Sequence, residues 1–329
     1  MSKLYLTGGE LRRSVFRRLE EWQSSRKAVI LELDLASKKS RLCVEYVSPA
    51  DVCAPELPAI LFKSASIHDG KFYACTSTEV LVYALPGFRL LHYISLPCFN
   101  DLHHVTPTPQ GTLLVVVTGL DMVVEVSTDG RLLREWTVLE EEVPWTRFSR
   151  DIDYRLVPTT KPHRSHPNHV FQLEDEIWVT RLDQRDAISL THPGRRINIE
   201  VQRPHDGFVR GNSIYFTTVD GHIVIASRDT LRVENVYDLN AMSAQNGRPL
   251  GWCRGLAPLD ERFVWVGFTR VRPTKFRENL NWLKTGGAAD EILLPTHLAL
   301  YDLQRGSQED QIALEPHGLG VVFSLLHAD

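Results

Sequence analysis

Residues 102–126 read LHHVTPTPQGTLLVVVTGLDMVVEV. Two apolar, β-branched runs flank the turn pair Gln110-Gly111, and the second run, Leu113 to Val117, is strand length. That run ends on Thr118, three residues before Asp121. The same order recurs down the chain. Pro167-Asn168-His169-Val170 leads to Thr180 and Asp183, and Arg203-Pro204-His205-Asp206 leads to Thr217 and Asp220. Trp252-Cys253-Arg254-Gly255 leads to Thr269, Glu315-Pro316-His317-Gly318 opens a copy at the C-terminal end, and a weaker copy runs from Ser64 to Thr76 and Glu79. Repeats arranged around an axis bring matched positions face to face. Here those positions hold His104, His169, His205, Arg254, His317 and Ser64.

Working outward, turn pairs punctuate the remaining strands: Asp69-Gly70, Asp129-Gly130, Gly211-Asn212 and Asp220-Gly221. Units begin near Phe62, Phe99, His166, Arg203 and Gly251, with lengths that fit four-stranded propeller blades. Ala28 to Leu35 and Arg41 to Val47 read as outer strands without inner partners, and His317 to Leu325 reads as inner strands without outer ones. Joining the two ends gives a sixth blade and leaves no free edge. The expected fold is therefore all-β: a six-bladed β-propeller over residues 28–329, closed by N- and C-terminal strands. The expected N-terminal helical segment, residues 1–27, rests on Leu11, Val15, Phe16 and Leu19 at near-helical spacing within Leu6 to Trp22.

Two insertions interrupt the repeat, Leu139 to Ser165 and Arg272 to Pro295, and both are expected to act as lids or to pack on the rim. In the second, Leu280, Trp282 and Leu283 suggest a short helix over the tunnel mouth.

Composition is that of an ordinary globule, 43% hydrophobic and 24% charged, with a net charge of -4. That charge gives no electrostatic footprint for nucleic acid. No apolar stretch approaches the roughly 20 residues of a membrane helix. Five scattered cysteines without a Cys-x-x-Cys pair fit reduced thiols and a cytoplasmic setting. Phosphate-cradling, dinucleotide-binding and serine-elbow motifs are absent from the sequence.

His104-Val105, the run Gln110 to Gly119, Asp121 and Val123 to Val126 resemble an NHL-type propeller repeat, as does Pro316 to Val321. The resemblance covers most of the chain as a loose pattern and points to a superfamily. Some enzymes of this architecture hold a metal at the tunnel mouth with histidines that begin the inner strands. Peptidyl-hydroxyglycine lyases use zinc in this way; carotenoid cleavage oxygenases, on a different propeller, use iron and four histidines. The positions that look similar here are His104, His169, His205 and His317.

Imidazoles suit iron and zinc, and a mononuclear site needs three or four such donors at one point. The expectation is a metalloenzyme with iron(II), or next zinc(II), held by His104, His169, His205 and His317. Arg254 would clamp a small polar or anionic organic substrate. Tyr154, with Arg155, would supply an acid, a base or an anchor from the first insertion. Iron would favour oxygen-dependent chemistry, and zinc lyase or hydrolase chemistry. Asp101, Asp206 and Glu315 are candidates to orient the ligands. The Thr-x-x-Asp elements read as turn braces. His103 reads as a core or interblade residue, and His163 and His166 as loop residues. The competing reading is a non-catalytic binding or scaffold propeller with structural histidines, since WD-type propellers brace each blade with a His, Ser/Thr, Asp and Trp network.

Overall fold

A computed structural model describes residues 3–12, 19–140, 142–244, 248–271 and 293–328. They form six four-stranded antiparallel sheets, which makes a six-bladed propeller. Blades 1 to 4 follow one another at 66–94, 102–137, 167–198 and 208–238, and blade 5 spans 252–313. The innermost strands are Ser66–His68, Leu102–Pro107, Pro167–Leu173, Phe208–Arg210, Trp252–Pro258 and Val321–His327. Blade 6 closes the ring: Val321–His327 lies innermost, followed outward by Lys3–Leu11, Ser25–Asp34 and Lys39–Tyr46. The two N-terminal hairpin strands are outer strands, as their pattern predicts.

The partner between them and the C-terminal strand is a correction. Lys3–Leu11 is a strand where the spacing suggested a helix from Leu6, while residues 13–18 lie outside the described residues and Glu21–Gln23 is a single 3-10 turn. The strand is covered on both faces, with Leu4, Leu6 and Thr7 fully buried, so its sequence lacks the alternation of a half-exposed strand. Gly8 makes the closure possible, because a Cβ there would stand 1.8 Å from the Val321 carbonyl oxygen. His317 is likewise not on the inner strand; it ends the 3-10 turn Glu315–His317.

The core lies between blades. Val80 and Val82 of blade 1 pack with Val115 and Val117 of blade 2, and Leu114 and Val116 face Val170 and Val179 of blade 3. Each middle strand is thus apolar on both faces, which explains the unbroken run Leu113–Val117.

Four buried threonines clasp neighbouring blades, whereas Thr76 braces its own turn by donating to the Glu79 carboxylate at 2.9 Å. The hydroxyls of Thr118, Thr180, Thr269 and Thr7 donate to the carbonyls of Pro167 (2.6 Å), Asp206 (3.0 Å), Val322 (3.1 Å) and Lys63 (2.8 Å), each on the inner strand of the next blade or just before it. Blade 4 departs from this rule. Thr217 donates to the Asp206 carboxylate, and that carboxylate accepts the Gly255 N–H of blade 5 at 2.9 Å. Asp121 also does more than shape its turn. Its buried carboxylate accepts the backbone N–H groups of Arg164, Ser165 and His166 at 2.9, 3.0 and 2.9 Å, and an Arg147 N–H at 2.7 Å. It therefore ties the C-terminal end of the first insertion, and Arg147 within it, to blade 2.

Candidate functional site

The tunnel opens into two cavities, an upper one of about 730 Å³ and a lower one of about 390 Å³. The expected ligands are divided between them and the rim. His104, on the inner strand of blade 2, receives the Val170 N–H on Nδ1 at 3.3 Å. Its neutral ring then carries the proton on Nε2, which contacts Ser66 Oγ at 3.0 Å, while the Ser66 hydroxyl donates to the Val105 carbonyl at 2.9 Å. His104 thereby staples blades 1, 2 and 3. It stacks on His169 with ring centroids 3.6 Å apart and planes 15° from parallel, and both line the lower cavity. His317 is on the rim, with Nδ1 2.8 Å from Ser40 Oγ on the outermost strand of blade 6. Only His205, of the four, lines the upper cavity.

His104, His169, His205 and His317 therefore do not converge. Among the described residues no three His, Cys, Asp or Glu side chains gather to hold a metal ion. As placed, these four histidines do not form a mononuclear iron(II) or zinc(II) site.

Arg254 does reach the upper cavity, with its guanidinium carbon 4.4 Å from the centre of the Phe323 ring. Tyr154 does not line it. It is buried in the insertion, where its hydroxyl accepts the Ser149 N–H at 2.9 Å. Arg155 lines the cavity edge, paired with Asp153. Glu315 is a rim residue that pairs with Arg270 at 3.0 Å. The stretch 272–292, with Leu280, Trp282 and Leu283, lies outside the described residues.

Three imidazoles missed by sequence reasoning join His205. His103 stands 4.9 Å from His166 and 6.2 Å from His205, and His163 stands 4.9 Å from His166, all between ring centroids. His163 and His166 face each other Nδ1 to Nδ1 at 2.8 Å, so one donates to the other. They meet because the segment is not a strand and His166 takes a positive φ of 57°, which turns its ring back. His103 Nδ1 lies 2.8 Å from the Asp101 carbonyl, a contact that requires a proton on Nδ1 and leaves Nε2 as the basic nitrogen. His205 is 1% exposed, and neither ring nitrogen has a hydrogen-bond partner among the described residues; Asp206 Oδ1 stands 3.7 Å from Nδ1.

Cations surround these rings. Lys63, nearly buried, pairs with Asp101, and Lys161 pairs with Glu21 at 2.9 Å. Burial and the Lys63 charge hold His103 well below the usual imidazole range. Burial likewise lowers His205, with Arg254 and Lys63 pushing the same way against Asp206. Burial also lowers His166 and His163. Asp101 is pulled upward by burial, but Lys63, His103 and Lys161 outweigh that and hold it well below the carboxylate range. At neutral pH the upper cavity thus presents neutral imidazoles beside two ion pairs, Lys63 with Asp101 and Lys161 with Glu21, and beside Arg254; such imidazoles can accept and return protons.

No family model matches the chain, and no curated protein matches it. Solved structures do. A Bacteroides caccae protein described as of unknown function aligns over 99% of this chain and 98% of its own, with a TM-score of 0.61 and 15% identity. A catalytically inactive virginiamycin B lyase from Staphylococcus aureus, solved with quinupristin, aligns over 72% of this chain and 69% of its own, with a TM-score of 0.47 and 13% identity. At such identities the likeness to the Bacteroides caccae protein shows a shared fold and nothing finer.

Proposed function

We propose that this propeller is an enzyme that admits a small anionic organic molecule to the upper cavity and acts on it by proton transfer, with lyase or hydrolase chemistry. His103 is the base, through Nε2, and His205 is the second acid–base group. Lys63, Lys161 and Arg254 hold the anionic part. The observation that carries the reading is the pair of neutral imidazoles 6.2 Å apart, lining a cavity that the three cations also line. A buried polar group without a partner costs about 1–3 kcal/mol, so His205 is a costly ornament unless something engages it. The NHL-type pattern is in keeping with chemistry at a tunnel mouth, and a cytoplasmic setting is in keeping with five free cysteines. No helix among the described residues is long and apolar enough to cross a membrane.

The second reading, a binding propeller without turnover, has one observation in its favour: His104 and His317 are both engaged in structural hydrogen bonds. Imidazole NMR separates the two. Inorganic phosphate or acetate should move the His103 and His205 resonances and leave His104 unmoved. A panel of small hydroxy and carboxylic acids followed by proton NMR should then give product with the wild type and none with His103→Gln. Binding without turnover supports the second reading. Turnover only after added iron(II) or zinc(II) would restore the metal proposal, and unmoved resonances with every anion would remove the upper cavity as the site.

A further inference from the structure

The upper cavity has two chemically distinct sides. One carries Lys63, Asp101, His103, Lys161, His163 and His166, from blades 1 and 2 and the first insertion. The other carries Trp22, Ile60, Leu61, Val321 and Phe323, from the N-terminal connections and the inner strand of blade 6, with Glu20 and Glu21 preceding Trp22 and Glu21 paired with Lys161. Leu61, Val321 and Phe323 form a hydrophobic cluster of their own, with Leu11 and Ala59 packed against it. That cluster is separate from the six larger clusters, and its residues border the cavity. The boundary between the sides is sharp: Leu61 and Lys63 are two residues apart, and the Arg254 guanidinium lies over the Phe323 ring. A volume of about 730 Å³ also exceeds what a two- or three-carbon acid needs and falls in the usual range for organic ligands, about 300–1,000 Å³.

We infer that the occupant is an amphiphilic organic anion, with one anionic head and an apolar body of several carbons or a ring. The head lies among Lys63, Lys161 and Arg254, beside the imidazoles, and the body lies against Trp22, Leu61 and Phe323. This inference rests on the upper cavity being the anion site and adds the substrate's second half. Water filling the apolar side is displaced by the body, and that hydrophobic gain supplies affinity that a bare anion lacks.

The test is a homologous series, acetate, butyrate, hexanoate and octanoate, titrated into the full chain by calorimetry with tryptophan fluorescence as a second readout. Affinity should rise about threefold to fourfold per added methylene. Lys161→Met should weaken every member by a similar factor, which marks the head. Leu61→Ser should flatten the dependence on chain length, which marks the body. Because Leu61 is buried and its replacement could unfold the protein, Trp22→Ser, at a half-buried position, repeats the test. Equal affinity across the series, or a chain-length dependence untouched by both apolar substitutions, overturns the amphiphile and leaves the anion site standing. Failure of every acid, and of inorganic phosphate, overturns the anion site itself.

Discussion

The threonine clasps set the smallest scale at which the ring is held. Thr180→Val removes one hydroxyl donor and leaves the Asp206 carbonyl without it, so a loss of about 1 kcal/mol is expected. Thr217→Val should cost more, about 1.5–3 kcal/mol, because it strips a donor from a buried carboxylate that is otherwise held by the Gly255 N–H and by His205 nearby. Urea unfolding midpoints of the two variants check the order, and a Thr217 variant no weaker than the Thr180 variant refutes it. At this scale the sequence showed that His, Thr and Asp recur but not where they point. The inner strands of blades 2, 3 and 5 carry register shifts at Leu102/His104, Pro167/His169 and Cys253/Leu256. A bulge reverses the facing of residues beyond it. The repeat position assigned His104 to the site and alternation then sent His103 to the core, whereas His103 borders the upper cavity and His104 the lower.

At the scale of elements, the first insertion is a fastened wall. Asp121 grips its C-terminal end and Arg147, the Asn100 amide donates to the carbonyls of Tyr154 and Val157 at 2.8 and 2.9 Å, and Lys161 reaches Glu21. The wall brings Lys161, His163 and His166 to the cavity, so Asp121 positions half of its polar side without lining it. Asp121→Ala leaves three backbone N–H groups and the Arg147 charge without their acceptor. Breaking such a buried pair costs about 3–5 kcal/mol, concentrated in the wall. Trypsin should then cut near Arg147 and Arg150 well before the blades are digested. Unchanged cleavage would show that the Asn100 contacts suffice. The wall's existence was legible as an irregular stretch between periodic ones. Its anchor was not, because Asp121 and the amides it binds lie 43 to 45 residues apart in sequence. The N-terminal strand was misread for a related reason. A strand buried on both faces has no period-two signature, and Leu6 and Leu11 then fall by chance near helical spacing.

For the whole molecule, the closed ring keeps six imidazoles around its tunnel, at His103, His104, His163, His166, His169 and His205, all shifted below the ordinary range chiefly by burial. His169 falls to about 4. The consequence for stability has a definite sign. Above pH 6.5 both folded and unfolded chains hold these rings neutral, and they make no pH-dependent contribution. Below it the unfolded chain takes protons that the folded one refuses, so stability falls as the pH drops toward each folded value. Every ring adds a slope of up to about 1.4 kcal/mol per pH unit within that window. His222, raised by its hydrogen bond to Asp220, and Asp183, raised by burial, work the other way, but they are two groups against seven once the buried His297 is counted. The carboxylates Asp101 and Asp206, held low, lose their contribution only below the ordinary carboxylate range, so the interval from about pH 6.5 to 4 belongs to the histidines. Urea midpoints measured between pH 7.5 and 4.5 should therefore fall steeply, and His169→Gln should reduce the slope by about one proton's worth. A flat profile would mean that these rings take up protons alike in the folded and unfolded chains, and the burial that lowers the upper cavity's imidazoles would then be refuted.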